Sequence, residues 1–392
     1  LHVLSYVAVL FATGLLCHAR LYTKRPDMSA LPLFYMLIAL GGMLGTLCAG
    51  VIAPLIFVGF SEFTIGLALA AITAVLLAHS DVFPRAMKAS TILLTRLVLC
   101  AIVVTALVGS ITASDDVLAI QSRNFYGSVQ VRLYDGLTSL MHGSTLHGIQ
   151  PVEKEWRAIP TSYYAPASGV GRALLYARTA RKDAPLSVGT IGLGTGSLAS
   201  YCGEKDTFTF YEIDARIETL ARTYFTYLAD CQGSTVRIGD GRLLLDQELR
   251  AGTPGKYDVL VLDAFSDDTV PAHLLTTEAL QLYAQHLRSD ESILALHISN
   301  RFLDLAPMAF RAAAVIGMNA MIVRDPGDLK NYAVPSTWVL LTKDSDVFQS
   351  VVFAHTDSAL PSIAHAPLWT DEFTSILTVL DLESILTMPS KN

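Results

Sequence analysis

The stretch TIGLGTGSLASYCGEKDTFTFYEID, residues 190–214, constrains the fold more than any other part of the chain. It reads as a strand, a glycine-rich turn at Gly192, Gly194 and Gly196, a short helical turn, and a second strand closing on Glu212. Glycine at these positions permits a tight turn and lets a ligand approach the backbone, and an acid about twenty residues on can accept both hydroxyls of a ribose. Such a unit belongs to a parallel sheet covered by helices, with ligands at the carboxyl ends of its strands.

The surrounding sequence extends that pattern. Strands are expected at 188–192, 207–213, 235–238, 257–263, 292–299, 320–323 and 337–342, separated by helices that include 217–228, 274–287 and 303–316. Their alternation predicts a Rossmann-like α/β domain over 166–392 with a parallel, doubly wound sheet. Residues 114–165 favour strands and turns: FYGSVQVRLYDG alternates in polarity before an Asp-Gly turn signal, which places Tyr134 and Asp135 in a hairpin turn.

Ahead of these, residues 1–113 read as a multi-pass helical membrane region. The chain is 52% hydrophobic and 16% charged, and the charges are scarce before about Ser114. Apolar runs at 3–17, 33–57, 63–77 and 92–111 are candidate membrane helices. Gly41, Gly42, Gly45 and Gly50 in the second run would let another helix approach closely. No buried acid or broken helix marks an ion path, which favours an anchor or small bundle over transport. Arg20, Lys24 and Arg25 follow the first run, and Arg85 and Lys88 follow the third. The positive-inside rule puts those connections in the cytoplasm and the globular part outside, an awkward side for an enzyme using a cytoplasmic cofactor. Cys202 and Cys231 would form a disulfide in an oxidising compartment or stand as two structural thiols, so the side stays open. The sequence has no signal-peptide pattern, so the first run is read as a membrane helix; without an initiator Met, whether the chain starts earlier is also open. A net charge of −7 with no basic stripe argues against nucleic acid as a partner.

Three acids at strand ends carry the chemistry. Glu212 suits a ribose, Asp240 in IGDGR (followed by Gly241) suits an adenine amino group, and Asp263 in VLDAFSDD lies at the mouth of the expected cleft. A dinucleotide is the alternative ligand. The third glycine, however, comes one position early for G-x-G-x-x-G, and the acid trio suits a nucleoside without pyrophosphate, S-adenosylmethionine or its decarboxylated form. Asp214 is placed as a helix N-cap.

The segments YGSVQVRLYDG, GLGTGSLA, YEID, GDGR and DAFSDDTVPAHLLTTEAL resemble the spermidine synthase family of aminopropyltransferases. CHARLYTKRPD, FYMLIALGGMLGT, MHGSTLHGIQ, PTSYY, HISNRFLDL and WTDEF extend the resemblance to its membrane-fused bacterial members. It implies a small β-rich subdomain feeding a methyltransferase-type sheet, an inner-membrane location, and aminopropyl transfer from decarboxylated S-adenosylmethionine to an amine or polyamine with methylthioadenosine released. Carried over by residue, Gly192, Gly194 and Gly196 match the glycine turn, Glu212 the ribose acid, Asp240 the adenine-side acid, and Asp263 the first acid of a D-x-x-D motif and the expected base. The second acid would fall at Ser266, with Asp267 or Asp268 as displaced substitutes.

The family's acidic-aromatic acceptor segment is replaced here by His142, His147 and Gln150. The two histidines could line the pocket, carry protons or be surface residues; with no further His or Cys cluster beside them, no metal is expected. Tyr163 and Tyr164 would stack on adenine, close the substrate channel or pack in the core. Asn300, more than His297, is a candidate at the end of the fifth strand, and His273 reads as a loop anchor. Asp371 would deliver an acid to the amine pocket, or it or Thr370 would cap a helix. Two further readings stay open: another S-adenosylmethionine-dependent reaction, and a membrane sensor or transporter that binds a nucleoside or polyamine. The acceptor and a homo-oligomeric state are likewise open.

Overall fold

The computed structural model describes residues 2–77, 89–112, 117–143, 145–182, 184–264, 271–354, 356 and 360–381. Its first unit comprises the amino-terminal helices together with residues 121–128. The helices are α1 (His2–Thr23), α2 (Leu31–Leu47), α3 (Ala53–Ile56), α4 (Ser61–Leu77) and α5 (Ala89–Thr112). Pro54 cannot donate to the carbonyl one turn back, and the backbone between α2 and α3 widens into a π turn at Cys48–Ile52. Each expected apolar run falls on this helical set. One stretch among the described residues, Met28–Ile56, is long and apolar enough to cross a membrane by length and composition, while Ser61–Thr73 and Ser90–Thr105 are shorter. Of the four expected spans, one thus has a candidate among the described residues, and the multi-pass arrangement is not confirmed. Leu33, Met36, Leu40 and Met43 of α2 and Leu93, Leu97 and Val104 of α5 are exposed. Within this unit the Arg123 guanidinium donates to Glu62 Oε1 at 2.7 Å and to the Gly59 carbonyl at 2.6 Å, and lies over the Phe60 ring.

A four-stranded antiparallel meander follows: β1 (Leu118–Asn124), β2 (Gly127–Tyr134), β3 (Leu137–His142) and β4 (Thr145–Pro151). Asp135 and Gly136 both have positive φ, the geometry an Asp-Gly hairpin turn requires.

In the second unit, α6 (Gly169–Arg181) leads into a seven-stranded sheet. Its elements are β5 (Ser187–Ile191), β6 (Thr207–Glu212), α7 (Ala215–Tyr224), α8 (Tyr227–Asp230), β7 (Ser234–Ile238), α9 (Gly241–Arg250) and β8 (Val259–Leu262). They continue as α10 (Thr277–Ala284), β9 (Ile293–His297), α11 (Ala306–Val315), β10 (Asn319–Asp325) and β11 (Ser336–Thr342). The strand order is β10-β11-β9-β8-β5-β6-β7, a Rossmann-like arrangement. β5 to β9 pair in parallel as expected, but β11 runs antiparallel between β9 and β10. The segment joining β10 to β11 holds no α-helix to make the crossover a parallel pair needs.

Side chains explain the helix starts. Ser168, Asp214, Asp240 and Thr276 accept the free amides at the first turns of α6, α7, α9 and α10. β8 and β9 are buried on both faces; VLVL and, ahead of His297, ILAL are the continuous apolar runs that central parallel strands need. Phe208, Phe210, Val170 and Leu174 fill one side of the sheet; Leu260, Leu294, Tyr283, Met308 and Trp369 fill the other. Cys202 and Cys231, left open by the sequence, are disulfide-bonded with Cα atoms 5.6 Å apart, and they tie together the segments leading into β6 and β7.

Candidate active site at the strand ends

Gly192, Gly194 and Gly196 all have positive φ, which costs glycine little and other residues considerably. A Cβ at Gly192 would collide with the Asp263 carbonyl oxygen, and one at Gly194 would lie 2.8 Å from the His147 carbonyl oxygen. The turn therefore passes between the end of β8 and strand β4, and the backbone approach that glycine allows is used by the protein on both sides. β4 roofs the turn further along, where a Cβ at Gly148 would strike Thr195.

Glu212 ends β6 beside this turn. Its carboxylate accepts from Leu193 N at 3.0 Å and from Asp214 N at 2.9 Å. Burial raises its pKa to about 7 and outweighs those hydrogen bonds. Asp214, as expected, caps α7, and it also pairs with Arg216.

Asp263 lies at the end of β8, but it is buried rather than open at a cleft mouth: its side chain is 5% exposed. The Tyr164 hydroxyl donates to Oδ2, and His297 Nδ1 lies 2.6 Å from Oδ1. Burial pushes the Asp263 carboxyl up, and the hydrogen bonds it accepts from His297 and Tyr164 help to bring it below the usual carboxylate range. The His297 ring is stacked between Tyr163 and Trp338, with centroids 4.5 Å away on each side, and its Nε2 lies 2.8 Å from Ser299 Oγ. Ser162 sets the tyrosines: this buried non-glycine residue has φ 59°, and its N–H donates to the Tyr332 carbonyl at 2.7 Å. A left-handed residue held by a tertiary hydrogen bond turns Tyr163 and Tyr164 inward.

The remaining candidates divide. His142 and His147 face each other with ring centroids 5.7 Å apart, and the charge of His147 reaches Asp263. Gln150 is not an open acceptor contact. Its amide donates to the Arg157 carbonyl and Thr226 Oγ1 and accepts from Thr226 N, all within 2.9–3.0 Å. That grip coincides with a break in the expected 217–228 helix, where Phe225 is extended between α7 and α8. Asn300 Oδ1 accepts from Phe302 N and Leu303 N, so the residue shapes its own loop.

Asp371 caps no helix. It pairs with Arg242 at 2.5 Å and accepts from Thr276 at 2.8 Å, while the Asp371 N–H donates to Glu278. Asp240 caps α9 through Leu243 N and holds His273 at 3.1 Å. Gly241 is needed for packing: a Cβ there would sit 2.7 Å from Ile191. Asp267 and Asp268 lie outside the described residues. His297 was the candidate most undervalued by sequence. Its signal was the parallel register, Leu262 opposite Leu296, which makes Asp263 and His297 the next residues along neighbouring strands.

Beyond Ser299 a cavity of about 660 Å³ opens at the same edge of the sheet. Asn300, Asp304, Asp325, Ser336 and Asp381 are among its lining. Asp325 Oδ2 and Ser336 Oγ are buried there without a hydrogen-bond partner among the described residues.

Comparison with known proteins places these features in context. No family model matches the chain. It is 31% identical over 173 residues to a probable polyamine aminopropyl transferase of Bifidobacterium longum, a match covering 43% of this chain and 35% of that protein. It is 37% identical over 109 residues to the polyamine aminopropyltransferase of Vibrio vulnificus, covering 27% and 35%. The matched part of the chain is thus similar to polyamine aminopropyltransferases, and it spans about a third of the length of these curated relatives. Among solved structures, spermidine synthase from Thermotoga maritima aligns with a TM-score of 0.45 at 15% identity, over 65% of this chain and 81% of that one. Human methyltransferase-like protein 13 aligns with a TM-score of 0.37 at 21% identity, over 44% and 78%.

Proposed function

We propose that this chain is a membrane-anchored, spermidine synthase-like transferase that moves an aminopropyl group from decarboxylated S-adenosylmethionine to an amine, with methylthioadenosine released. The observation that carries the reading is the convergence of the glycine turn, Glu212 and Asp263 at the ends of β5, β6 and β8. Glu212, hydrogen-bonded beside the glycine turn, would take the ribose hydroxyls of the nucleoside. Asp240, just past the end of the next strand, β7, would face the adenine.

A sulfonium is already a good leaving group, so the departing nucleoside needs no general acid. The difficulty lies with the amine, which is protonated at neutral pH and cannot attack carbon. Asp263, held as a carboxylate, would attract the ammonium, accept its proton and align the freed lone pair with the carbon to be transferred. Alignment of two reactants can supply roughly 7–11 kcal/mol of a barrier. The unpartnered oxygens of Asp325 and Ser336 in the neighbouring cavity suit the hydrogens of an ammonium group.

The exposed apolar faces of α2 and α5 support anchoring in a bilayer. The disulfide, together with the basic residues after the first helix, supports a sheet domain on the oxidising side.

A second reading, a different S-adenosylmethionine-dependent reaction, is favoured by one feature. Asp263 is already engaged by Tyr164 and His297, and Ser266 stands where a second acid would be. Detergent-purified protein incubated with S-adenosylmethionine or its decarboxylated form, with and without putrescine, tests both. Methylthioadenosine only from the decarboxylated donor and only with amine supports aminopropyl transfer. S-adenosylhomocysteine overturns it in favour of methyl transfer, and amine-independent methylthioadenosine indicates a lyase.

A further inference from the structure

Hydrogen-bond donors around His297 run in one direction. Thr337 N can only donate, and it lies 2.8 Å from Ser299 Oγ. The Ser299 hydroxyl therefore has its own hydrogen to place, and His297 Nε2 at 2.8 Å is a better acceptor than the Thr337 carbonyl at 3.5 Å. With Nε2 accepting, the ring hydrogen is on Nδ1, and it points at Asp263 Oδ1 across 2.6 Å. The carboxylate, which can only accept, receives Tyr164 on its other oxygen. Rotation of the ring is blocked by Tyr163 and Trp338, stacked at 26° and 18° to it. Among the described residues, the titratable groups that face this chain include Asp263, Tyr163, Tyr164 and His147.

We propose that His297 is a positioning residue, fixed by Ser299 as the neutral Nδ1–H tautomer, which orients Asp263 and leaves its negative charge intact. The inference deepens the proposed function and rests on Asp263 being the group that meets the amine. A neutral donor holds the carboxylate in place without cancelling its charge, whereas an imidazolium would neutralise it and weaken its attraction for a cation. In this role His297 carries no proton to or from substrate.

Substitution separates holding from proton carrying. In His297→Asn the new side-chain amide would present an N–H close to where Nδ1–H now stands, yet it cannot titrate. His297→Asn should therefore keep kcat within about fivefold, whereas His297→Ala should lose on the order of 10²-fold in kcat, the scale of a misplaced catalytic group, with nucleoside affinity unchanged. Ser299→Ala should lower kcat and Ser299→Thr restore it. An inactive His297→Asn variant that still binds nucleoside would overturn the proposal, because it would make proton transfer the residue's task. Nitrogen NMR of histidine-labelled protein decides the point independently of turnover. A neutral ring protonated on Nδ1 at pH 7.5, shifting toward the other tautomer in Ser299→Ala, is expected. A charged or Nε2-protonated ring in the unsubstituted protein would overturn the proposal even if aminopropyl transfer were confirmed. If the protein turned over no sulfonium nucleoside, the same spectrum would still decide the tautomer.

Discussion

Gly192 and Asp263 meet backbone to backbone: there is no room for a Cβ at position 192 against the Asp263 carbonyl, and the Asp263 N–H donates to Ile191 O at 2.9 Å. The glycine that opens the nucleotide turn thus also locates the proposed base. Gly192→Ala would add a left-handed penalty of about 1–3 kcal/mol and push the end of β8 away. Thermal melting should fall by several degrees, and nucleoside affinity by calorimetry by at least tenfold, on the order expected from a shifted backbone. An alanine variant with unchanged melting and affinity would refute the coupling.

Glu212 should make nucleoside binding depend on pH. Its pKa in the folded protein is about 7, raised from 4.5 by burial. The folded form therefore holds a proton that the unfolded chain releases between those values. Stability from this group is full below the unfolded pKa and is lost as pH rises through 7, a swing on the order of 3 kcal/mol. Ribose hydroxyls need the carboxylate, so affinity should rise about tenfold per pH unit up to 7 and then level off. Glu212→Gln should flatten both profiles. A pH-independent affinity in the unsubstituted protein would remove Glu212 from the ribose site.

The disulfide closes a loop of 29 residues in sequence separation. On the chain-entropy view, breaking it should cost about 3–4 kcal/mol. Cys231→Ser, or reductant, is expected to lower the denaturant midpoint without changing the order of the sheet. Mass spectrometry of protein taken directly from cells under alkylation reports whether the bond exists there. Two alkylated thiols would contradict an oxidising location.

Gln150 and Asp371 should behave as structural residues. Gln150→Ala would strand the Thr226 amide and the Arg157 carbonyl, costing about 1–3 kcal/mol, with little change in KM for an amine. The Asp371–Arg242 pair is partly solvated, with Asp371 45% exposed, so Asp371→Asn should cost less than about 1 kcal/mol. A tenfold or larger rise in amine KM for either variant would return that residue to the substrate site.

What could be read along the chain is what short-range chemistry decides. The glycine turn, the Asp214 cap, the Asp-Gly hairpin turn and the apolar runs of β8 and β9 each depend on neighbours a few residues apart, and they appear where the periodicity puts them. Helix ends moved by a few residues, and the break between α7 and α8 coincides with a hydrogen bond from Gln150, seventy-six positions away. Tertiary structure alone decided that β11 runs antiparallel, that Cys202 meets Cys231, and that Asp371 goes to Arg242. It also decided that Asp263 is gripped by His297 and Tyr164 instead of standing open. Those outcomes depend on which strand ends lie side by side and on which buried polar atoms must find partners there. Burial makes an unpaired carboxylate or amide costly, so the partners are set by the packed sheet and not by spacing along the sequence.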